Sequence, residues 1–153
     1  MTRWLDDDEQ RAWRSYVQMQ ARLNAHLGRQ LQRDSGLSLA DYGVLVQLTE
    51  VPEGRLRPFA LQERLEWEQS RLSHHLSRMS RRGLVERQEC PSDARGAFVA
   101  ITAAGRAALE AAAPGHVATV RDLFLDQLDR DELRTLERFA DRVLRRLAAD
   151  PAE

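Results

Sequence analysis

The sequence has no lysine, a single cysteine and no long apolar run. One cysteine, Cys90, cannot form an internal disulfide, which agrees with a reducing compartment. No apolar stretch approaches the roughly 18 residues that a membrane span needs. The N-terminal segment MTRWLDDDEQ is acidic and lacks the apolar region of a signal peptide. We therefore expect a cytoplasmic protein with no membrane partner.

The motifs of common enzymes and metal sites are also missing. The sequence contains no H-E-x-x-H, C-x-x-C, phosphate-binding glycine loop or G-x-S-x-G pattern. His74 and His75 are adjacent, and neighbouring helical residues lie about 100° apart, so they make a poor pair of metal ligands. The sequence thus predicts no enzyme, no catalytic residue, no metal site and no cofactor.

The arginines are concentrated in the middle of the chain. Residues 55–106 contain ten arginines and six acidic residues, whereas the rest of the chain contains 13 arginines and 18 acidic residues. The net charge of the whole chain is -1. A basic middle between acidic flanks indicates that this part meets a polyanion. A solvated charged surface would give the same composition, so charge alone leaves both interpretations open.

Apolar spacing and capping residues predict a mainly α chain. We expect a first helix over residues 6–33 and a second from Ser38, with Asp41 as its capping partner. The segment RLR that follows is short enough for one small strand. A third helix begins at Pro58, and a fourth stops at Gly83.

The second half of the chain predicts a hairpin and two further helices. The runs LVERQEC and AFVAIT read as strands on either side of the turn-rich PSDARG. Thr102 should cap a fifth helix, which Pro114-Gly115 should kink or interrupt, and Asp129 should cap the last. Two helices joined by a tight turn and followed by a hairpin form a winged helix-turn-helix, here over residues 38–101.

The fourth helix has one apolar and one polar face. Leu72, Leu76 and Met79 form the inward stripe, with His75 at its edge. The opposite face carries short hydroxyls and forked cations, which fit the major groove of DNA. An ordinary helix with a solvated charged face has a similar pattern, but the helix-turn-helix spacing and the arginine-tipped hairpin favour DNA contact. The predicted DNA-binding residues on this helix are Gln69, Ser70, Arg71, Ser73, His74, Ser77, Arg78 and Arg81.

The stretch LEWEQSRLSHHLSRMSRRGLVERQECPSDARGAFVAITAAGR resembles the MarR family of winged helix-turn-helix transcriptional regulators. The family pattern R-M/L-x-x-x-G-L-V-x-R, then D-x-R-G, then L/I-T-x-x-G is present in that order. One departure is Glu66, at a turn position where relatives often have Gly. If that position needs a positive φ, Glu costs on the order of 1 kcal/mol relative to Gly. The matching residues are Arg78, Met79, Gly83, Leu84, Val85, Arg87, Asp93, Arg95, Gly96, Ile101, Thr102 and Gly105.

The resemblance implies that residues 1–153 form one MarR-type chain, a homodimer that binds double-stranded DNA at a pseudo-palindromic operator. It also implies that Arg95 enters the minor groove while Asp93 holds its guanidinium, since a narrow minor groove attracts arginine. Helices within 6–33 and 103–149 would form the dimerisation part. The expected function is that of a repressor released by a phenolic or other aromatic effector.

Two further sets of residues are candidates for the dimer seam and the effector cleft. The last helix carries a heptad stripe that fits against the first helix of the same or a second chain. Trp13 and Tyr16 are candidates for lining the effector cleft, although aromatic residues at such spacing are more often part of a core. The stripe consists of Leu133, Leu136, Val143 and Leu147, together with Ala140.

Two other classes of function remain as alternatives. A thiol-based redox or metal-dependent sensor or enzyme would be centred on Cys90 and the histidines. A redox sensor needs an exposed thiol of low pKa, and a small half-buried cysteine is the more common case at the base of a hairpin. A helical protein–protein adaptor would show no salt-dependent binding to nucleic acid.

Overall fold

Six helices, three short strands and one 3-10 turn make up the computed structural model, which describes residues 1–90 and 96–150. The mainly α fold with a small β-wing that the sequence predicts is confirmed. In chain order the elements are α1 (Asp7–Ser35), α2 (Leu39–Thr49), β1 (Arg55–Leu56), α3 (Pro58–Leu65), α4 (Gln69–Arg81), β2 (Val85–Glu89), β3 (Ala97–Ile101), α5 (Ala103–Leu123), the 3-10 turn (Leu125–Gln127) and α6 (Arg130–Ala148).

Capping boxes begin α1, α2 and α6. In a capping box, the side chain before the first turn and a side chain three residues later bond each other's backbone N–H groups. Asp41 N donates to Ser38 Oγ, and Ser38 N donates to Asp41 Oδ2, both at 2.9 Å. Asp129 and Glu132 make the equivalent pair of bonds before α6. Both of these helix starts are confirmed as the sequence predicts them.

The start of α5 is tied to the loop that follows α4. Thr102 Oγ1 accepts a hydrogen bond from Gly105 N at 2.9 Å and donates to the Gly83 carbonyl at 2.5 Å. The predicted cap is therefore confirmed, as is the stop at Gly83, whose φ is 75°. A Cβ on Gly105 would overlap the carbonyl oxygen of Leu84. The T-x-x-G spacing thus lets α5 begin in direct contact with the chain leaving α4.

α5 continues through Pro114 without interruption. Proline removes one backbone donor and crowds the carbonyl four residues earlier, which is why the sequence suggests a break there. The predicted interruption is wrong, because packing holds the helix on both sides of the proline. Leu109 and Ala112 are buried before it, and the ring of His116 lies 4.4 Å from that of Tyr42 after it.

The three strands form one antiparallel sheet in the order β1-β3-β2. β2 pairs with β3 from Val85 opposite Ile101 to Glu89 opposite Ala97, which confirms the two strands of the hairpin. β1 adds a third strand, with Arg55 opposite Ala100. The tip of the hairpin, residues 91–95, lies outside the described residues.

The main core belongs to the part of the chain that ends at His116. A second unit begins at Val117 and contains α6, none of whose side chains is buried. None of the helices in the described ranges is long and apolar enough to cross a membrane. The largest fully buried side chains of the first unit are Leu31, Leu37, Val44, Leu45, Leu48, Leu61 and Met79.

Candidate nucleic-acid interface

α4 has a buried face that differs by one residue from the predicted stripe. Leu72, His75 and Met79 are buried, at positions i, i+3 and i+7 of the helix. Leu76, which we expect inside, is half-buried, since the buried face is centred nearer to residue 75. The imidazole of His75 therefore lies on the buried side of α4.

The outer face of α4 carries every DNA-binding residue predicted on this helix. All eight are exposed: Gln69, Ser70, Arg71, Ser73, His74, Ser77, Arg78 and Arg81. Hydroxyl, amide and guanidinium groups of this kind can donate to phosphate oxygens and to base edges. Asp93 and Arg95, the two wing residues that the sequence predicts, lie outside the described residues.

A groove of about 890 Å³ separates α4 from the sheet. Ser73, Ser77 and Ser80 line it on the α4 side, and Arg57, Arg87 and the acidic Glu86 line it elsewhere. Its floor is apolar. Serine and arginine are common ligands of phosphate oxygens, so the serines and arginines together suit a sugar–phosphate strand. The floor is formed by Leu72, Leu76, Val85 and Val99.

Phe98, near the end of β3 that follows the tip of the hairpin, lies beside two arginines. The Cζ atoms of Arg55 and Arg57 each lie 4.5 Å from the centroid of its ring. Such cation–π contacts attract a guanidinium through its face and leave its N–H edges available for other partners. Arg55 also pairs with Glu53 at 3.0 Å. The aromatic ring thus holds two guanidinium groups beside β3, and the one on Arg57 belongs to a residue that also lines the groove.

Asp41 is the centre of a buried polar network beneath α4. Its Oδ2 lies 2.7 Å from Nη1 of Arg82, whose Nη2 donates to the Gly36 carbonyl at 2.8 Å. Burial opposes ionisation of Asp41, but the hydrogen bonds from Arg82 and from Ser38 N outweigh burial. The pKa of Asp41 therefore lies below its usual value of 3.8. The charged carboxylate joins the α1–α2 turn to the end of α4.

His75 belongs to the same network. Its Nε2 lies 2.9 Å from Asp41 Oδ1, although the two groups are not aligned as a hydrogen bond, and its Nδ1 lies 3.2 Å from Arg78 Nη2. Burial lowers the pKa of His75 below 6.5, and the charge of Asp41 offsets only part of that shift. A neutral ring with its proton on Nε2 accepts a hydrogen bond from Arg78 at Nδ1. The buried imidazole thereby orients one arginine of the outer face.

Sequence reasoning missed several side chains that shape this interface. Arg57 and Phe98 meet only because β1 and β3 pair, and no local pattern announces that pairing. Arg82 reaches Asp41 across 41 residues of sequence. The capping box at Ser38 is visible in the sequence, but it gives no sign that its acidic member is buried. Long-range pairing was the missing information in each case.

The remaining predicted residues belong to α1 and α6. Trp13 and Tyr16 are exposed on α1, with their ring centroids 5.8 Å apart. Leu133, Val143 and Leu147 are exposed on α6, and Leu136 is half-buried. These side chains thus present apolar surface on both helices.

The residues of the alternative sensor hypothesis are not brought together. His75 faces Asp41, His74 is exposed, and Cys90 is half-buried just after β2. Within residues 1–90 and 96–150, no group of three or more histidine, cysteine or acidic residues is placed to hold a metal ion.

Comparisons with known proteins find similarity to one family of transcriptional regulators. A sequence model of the MarR family matches residues 35–96. Sco3205 from Streptomyces coelicolor, a MarR family transcriptional regulator whose crystal structure is a complex with DNA, is 41% identical to this chain. The match covers 96% of this chain and 92% of that one, with a TM-score of 0.92. No curated protein matches the sequence.

Two further solved structures are similar. AbsC, a MarR family transcriptional regulator from Streptomyces coelicolor, is 38% identical with a TM-score of 0.91, over 97% of this chain and 99% of that one. A mutant of MarR from E. coli, crystallised with operator DNA, is 27% identical with a TM-score of 0.72. That match covers 86% of this chain and 91% of the E. coli protein.

Proposed function

Because the chain belongs to the MarR family of transcriptional regulators, we propose that it recognises a specific double-stranded DNA sequence through the outer face of α4 and the hairpin that follows. The observation that carries the proposal is the row of eight exposed donors on α4, flanked by a groove lined by serine on the α4 side and by arginine elsewhere. Residues 38–101 form the DNA-binding part in this proposal.

Different positions along α4 contact different parts of the DNA in this proposal. Residues near its N-terminus, from Gln69 to His74, approach base edges in the major groove, as the first turns of recognition helices do. Arg78 and Arg81 approach phosphates further along the helix. The groove between α4 and the sheet receives the strand that separates the major groove from the adjacent minor groove. Arg95 reaches that minor groove from the wing, with Asp93 as its partner, as the family resemblance implies.

The protein acts as a homodimer in this proposal. An exposed heptad stripe along α6 supports it, because a helix with one apolar face needs a partner in water. Helices within 6–33 and 103–149 form the dimerisation part. Two recognition helices then enter successive major grooves of a pseudo-palindrome, with half-sites about 34 Å apart along the duplex.

Repression relieved by a small aromatic ligand completes the proposal. Its support is the exposed pair of Trp13 and Tyr16, whose rings offer a flat apolar surface to another ring. The ligand would favour one of two pre-existing arrangements of the DNA-binding parts, so its effect equals its difference in affinity for the two.

Selection from a random duplex library, followed by binding measurements at several salt concentrations, tests this function. We expect one enriched sequence with two inverted halves, and an affinity that falls steeply as salt rises. Arg81→Ala removes one phosphate contact from each subunit of the proposed homodimer, so it should reduce the slope of log K against log salt by about two. Arg138→Ala removes the same charge from the outer side of α6 and should leave the slope unchanged. No enrichment, or binding that ignores salt, would refute the proposal.

A further inference from the structure

Trp67 lies in the turn between α3 and α4, half-buried and packed against the core. The Cζ of Arg71 lies 4.1 Å from the centroid of its ring, and the ring of His75 meets it edge-on at 5.3 Å and 84°. We propose that Trp67 is a positioning residue that holds Arg71 for bidentate recognition of a guanine. The inference rests on the proposed function, since it concerns how the same DNA interface selects its sequence.

The backbone of the turn fixes the position of Trp67 in the chain between α3 and α4. Glu66 adopts a left-handed conformation with φ 54° and ψ 43°, which glycine favours at the end of a helix. Glu66 N donates to the Glu63 carbonyl at 3.4 Å, and Trp67 N donates to the Gln62 carbonyl at 3.2 Å. These two bonds close the α3 helix in a defined geometry. The position of Trp67 is therefore set by the same turn that sets the start of α4.

Stacking on Trp67 restrains Arg71 without consuming its donors. A guanidinium that stacks uses its face, while its N–H groups lie in the plane and point outward. Among the described residues, no hydrogen bond or ion pair engages Arg71, so the ring is its one partner there. The N–H fork therefore stays available, with fewer rotamers to lose on binding. Preorganisation of this kind raises affinity for the matching base by reducing the entropy cost.

The other arginines on this face are held differently. Arg78 is drawn toward His75 Nδ1 at 3.2 Å, and Arg81 is within 3.4 Å of Ser77 Oγ. Both lie in the last turns of α4, whereas Arg71 is the third residue of the helix, where recognition helices contact base edges. A free guanidinium fork at that position matches the O6 and N7 acceptors of guanine. Arg71 is thus the arginine that the structure prepares for base readout.

A double-mutant cycle tests the proposal on duplexes derived from the sequence that the wild-type protein selects from a random library. Trp67→Leu, Arg71→Ala and the double variant are each measured, at one salt concentration, against duplexes with every base pair substituted in turn. We expect Arg71→Ala to weaken the preference for one G·C pair in each half-site by about fivefold or more. Trp67→Leu should weaken the preference at the same pair by about two- to fivefold. In the double variant, Trp67→Leu should change the preference at this pair by less than about a further twofold, because Trp67 acts through Arg71.

Two further variants separate positioning from general damage. Trp67→Phe keeps an aromatic face and should retain most of the preference for the G·C pair. If Trp67→Leu fails to fold, the preference of Trp67→Phe is compared with that of the wild-type protein instead. Trp4→Leu, at a tryptophan that is 84% exposed, should leave preference and affinity unchanged. Affinity for unselected DNA should change less than about twofold in the Trp67 variants, since the charge of Arg71 remains.

Several results would overturn the inference. An equal loss of affinity on every duplex would show that Trp67 supports the fold alone. An unchanged preference in Trp67→Leu, or a change at a base pair that Arg71 does not affect, would also refute it. A failure of the proposed function itself is recognised separately, because the wild-type protein would then select no sequence at all.

Discussion

Asp41 shows how much can depend on one buried side chain. The same carboxylate completes the capping box of α2, pairs with Arg82 and lies beside His75. A buried charge is tolerated only when such partners compensate for its lost hydration. Backbone N–H and guanidinium groups surround the carboxylate. Its removal therefore affects the start of α2, the turn between α1 and α2, and α4 at once.

We expect Asp41→Ala to lower the free energy of unfolding by about 2–3 kcal/mol. The value falls at the low end for a buried pair because the Arg82 side chain is 44% exposed and regains water. Glu132→Ala is the matched control, since it removes the same position of the exposed capping box before α6. That variant should cost less than about 1 kcal/mol. Urea denaturation measures both, and equal losses would contradict the network.

The burial of His75 leads us to expect that the protein becomes less stable in mild acid. Burial lowers the pKa of His75 and of His116 below 6.5, so the unfolded chain takes up these protons before the folded one. Stability is therefore full above about pH 6.5 and decreases as the pH falls below that value. His75→Gln should flatten the part of this decline that His75 causes, whereas His74→Gln, at an exposed position, should leave it. Denaturation between about pH 7.5 and about pH 5 provides the test. A slope unchanged by His75→Gln would show that the imidazole takes no part.

At the scale of elements, the junction between α4 and α5 determines where the hairpin is attached. Thr102 bonds the Gly83 carbonyl, and Gly105 lets α5 approach the Leu84 carbonyl. The hairpin leaves and re-enters the helical part at this junction, because β2 begins at Val85 and β3 ends at Ile101. The spacing of T-x-x-G is thus a packing requirement between two chain segments.

Gly105→Ala should destabilise the fold by about 2 kcal/mol or more, because the added methyl group meets backbone and the junction must open. Gly28→Ala is the control within another helix, where nothing lies within 4 Å of the new Cβ. That substitution should raise stability by about 0.5–1 kcal/mol, since alanine favours a helix. Thermal denaturation separates the two directions, and a harmless Gly105→Ala would contradict the close approach.

The elements themselves could be predicted largely from local signals. Ser38, Pro58, Gly83 and Thr102 each mark a helix end by chemistry that acts within four residues, and each prediction is confirmed. Pro114 failed as a signal because packing around α5 outweighs the lost hydrogen bond. Local rules succeed where the partner is close in sequence and fail where it comes from another element.

The candidate interface divides in the same way. The outer face of α4 could be predicted, since helical spacing alone separates Ser70 and Arg71 from Leu72. The burial of His75 and the stacking of Arg71 on Trp67 could not, because both depend on how the turn after α3 folds back. The wing residues Asp93 and Arg95 stay predictions, as they lie outside the described residues.

At the scale of the whole molecule, apolar surface remains exposed on the terminal helices. Phe139 and Leu144 on α6 add to the heptad stripe, and Trp13 and Val17 are exposed on α1. Exposed apolar side chains in such number along one helix are typical of an interface. This surface supports the proposed homodimer.

The double substitution Leu136→Asp and Val143→Asp should dissociate the dimer, because two charges would replace apolar groups in the seam. Sedimentation should give about twice the 17.5 kDa of one chain for the wild-type protein and one chain mass, or unfolded material, for the variant. Thr135→Asp with Arg142→Asp adds the same two carboxylates beside the stripe and should leave a dimer. A folded dimer with the seam substituted would refute the interface.

The hydrogen bond from Arg82 to the Gly36 carbonyl connects the end of α1 to the end of α4. α1 is one uninterrupted helix of 29 residues, about 43 Å long, and the carbonyl of Gly36, directly after it, accepts this bond from Arg82, directly after α4. Because this bond joins the residue after α1 to the residue after α4, a shift of the C-terminal end of α1 would either move the end of α4 with it or lengthen the bond.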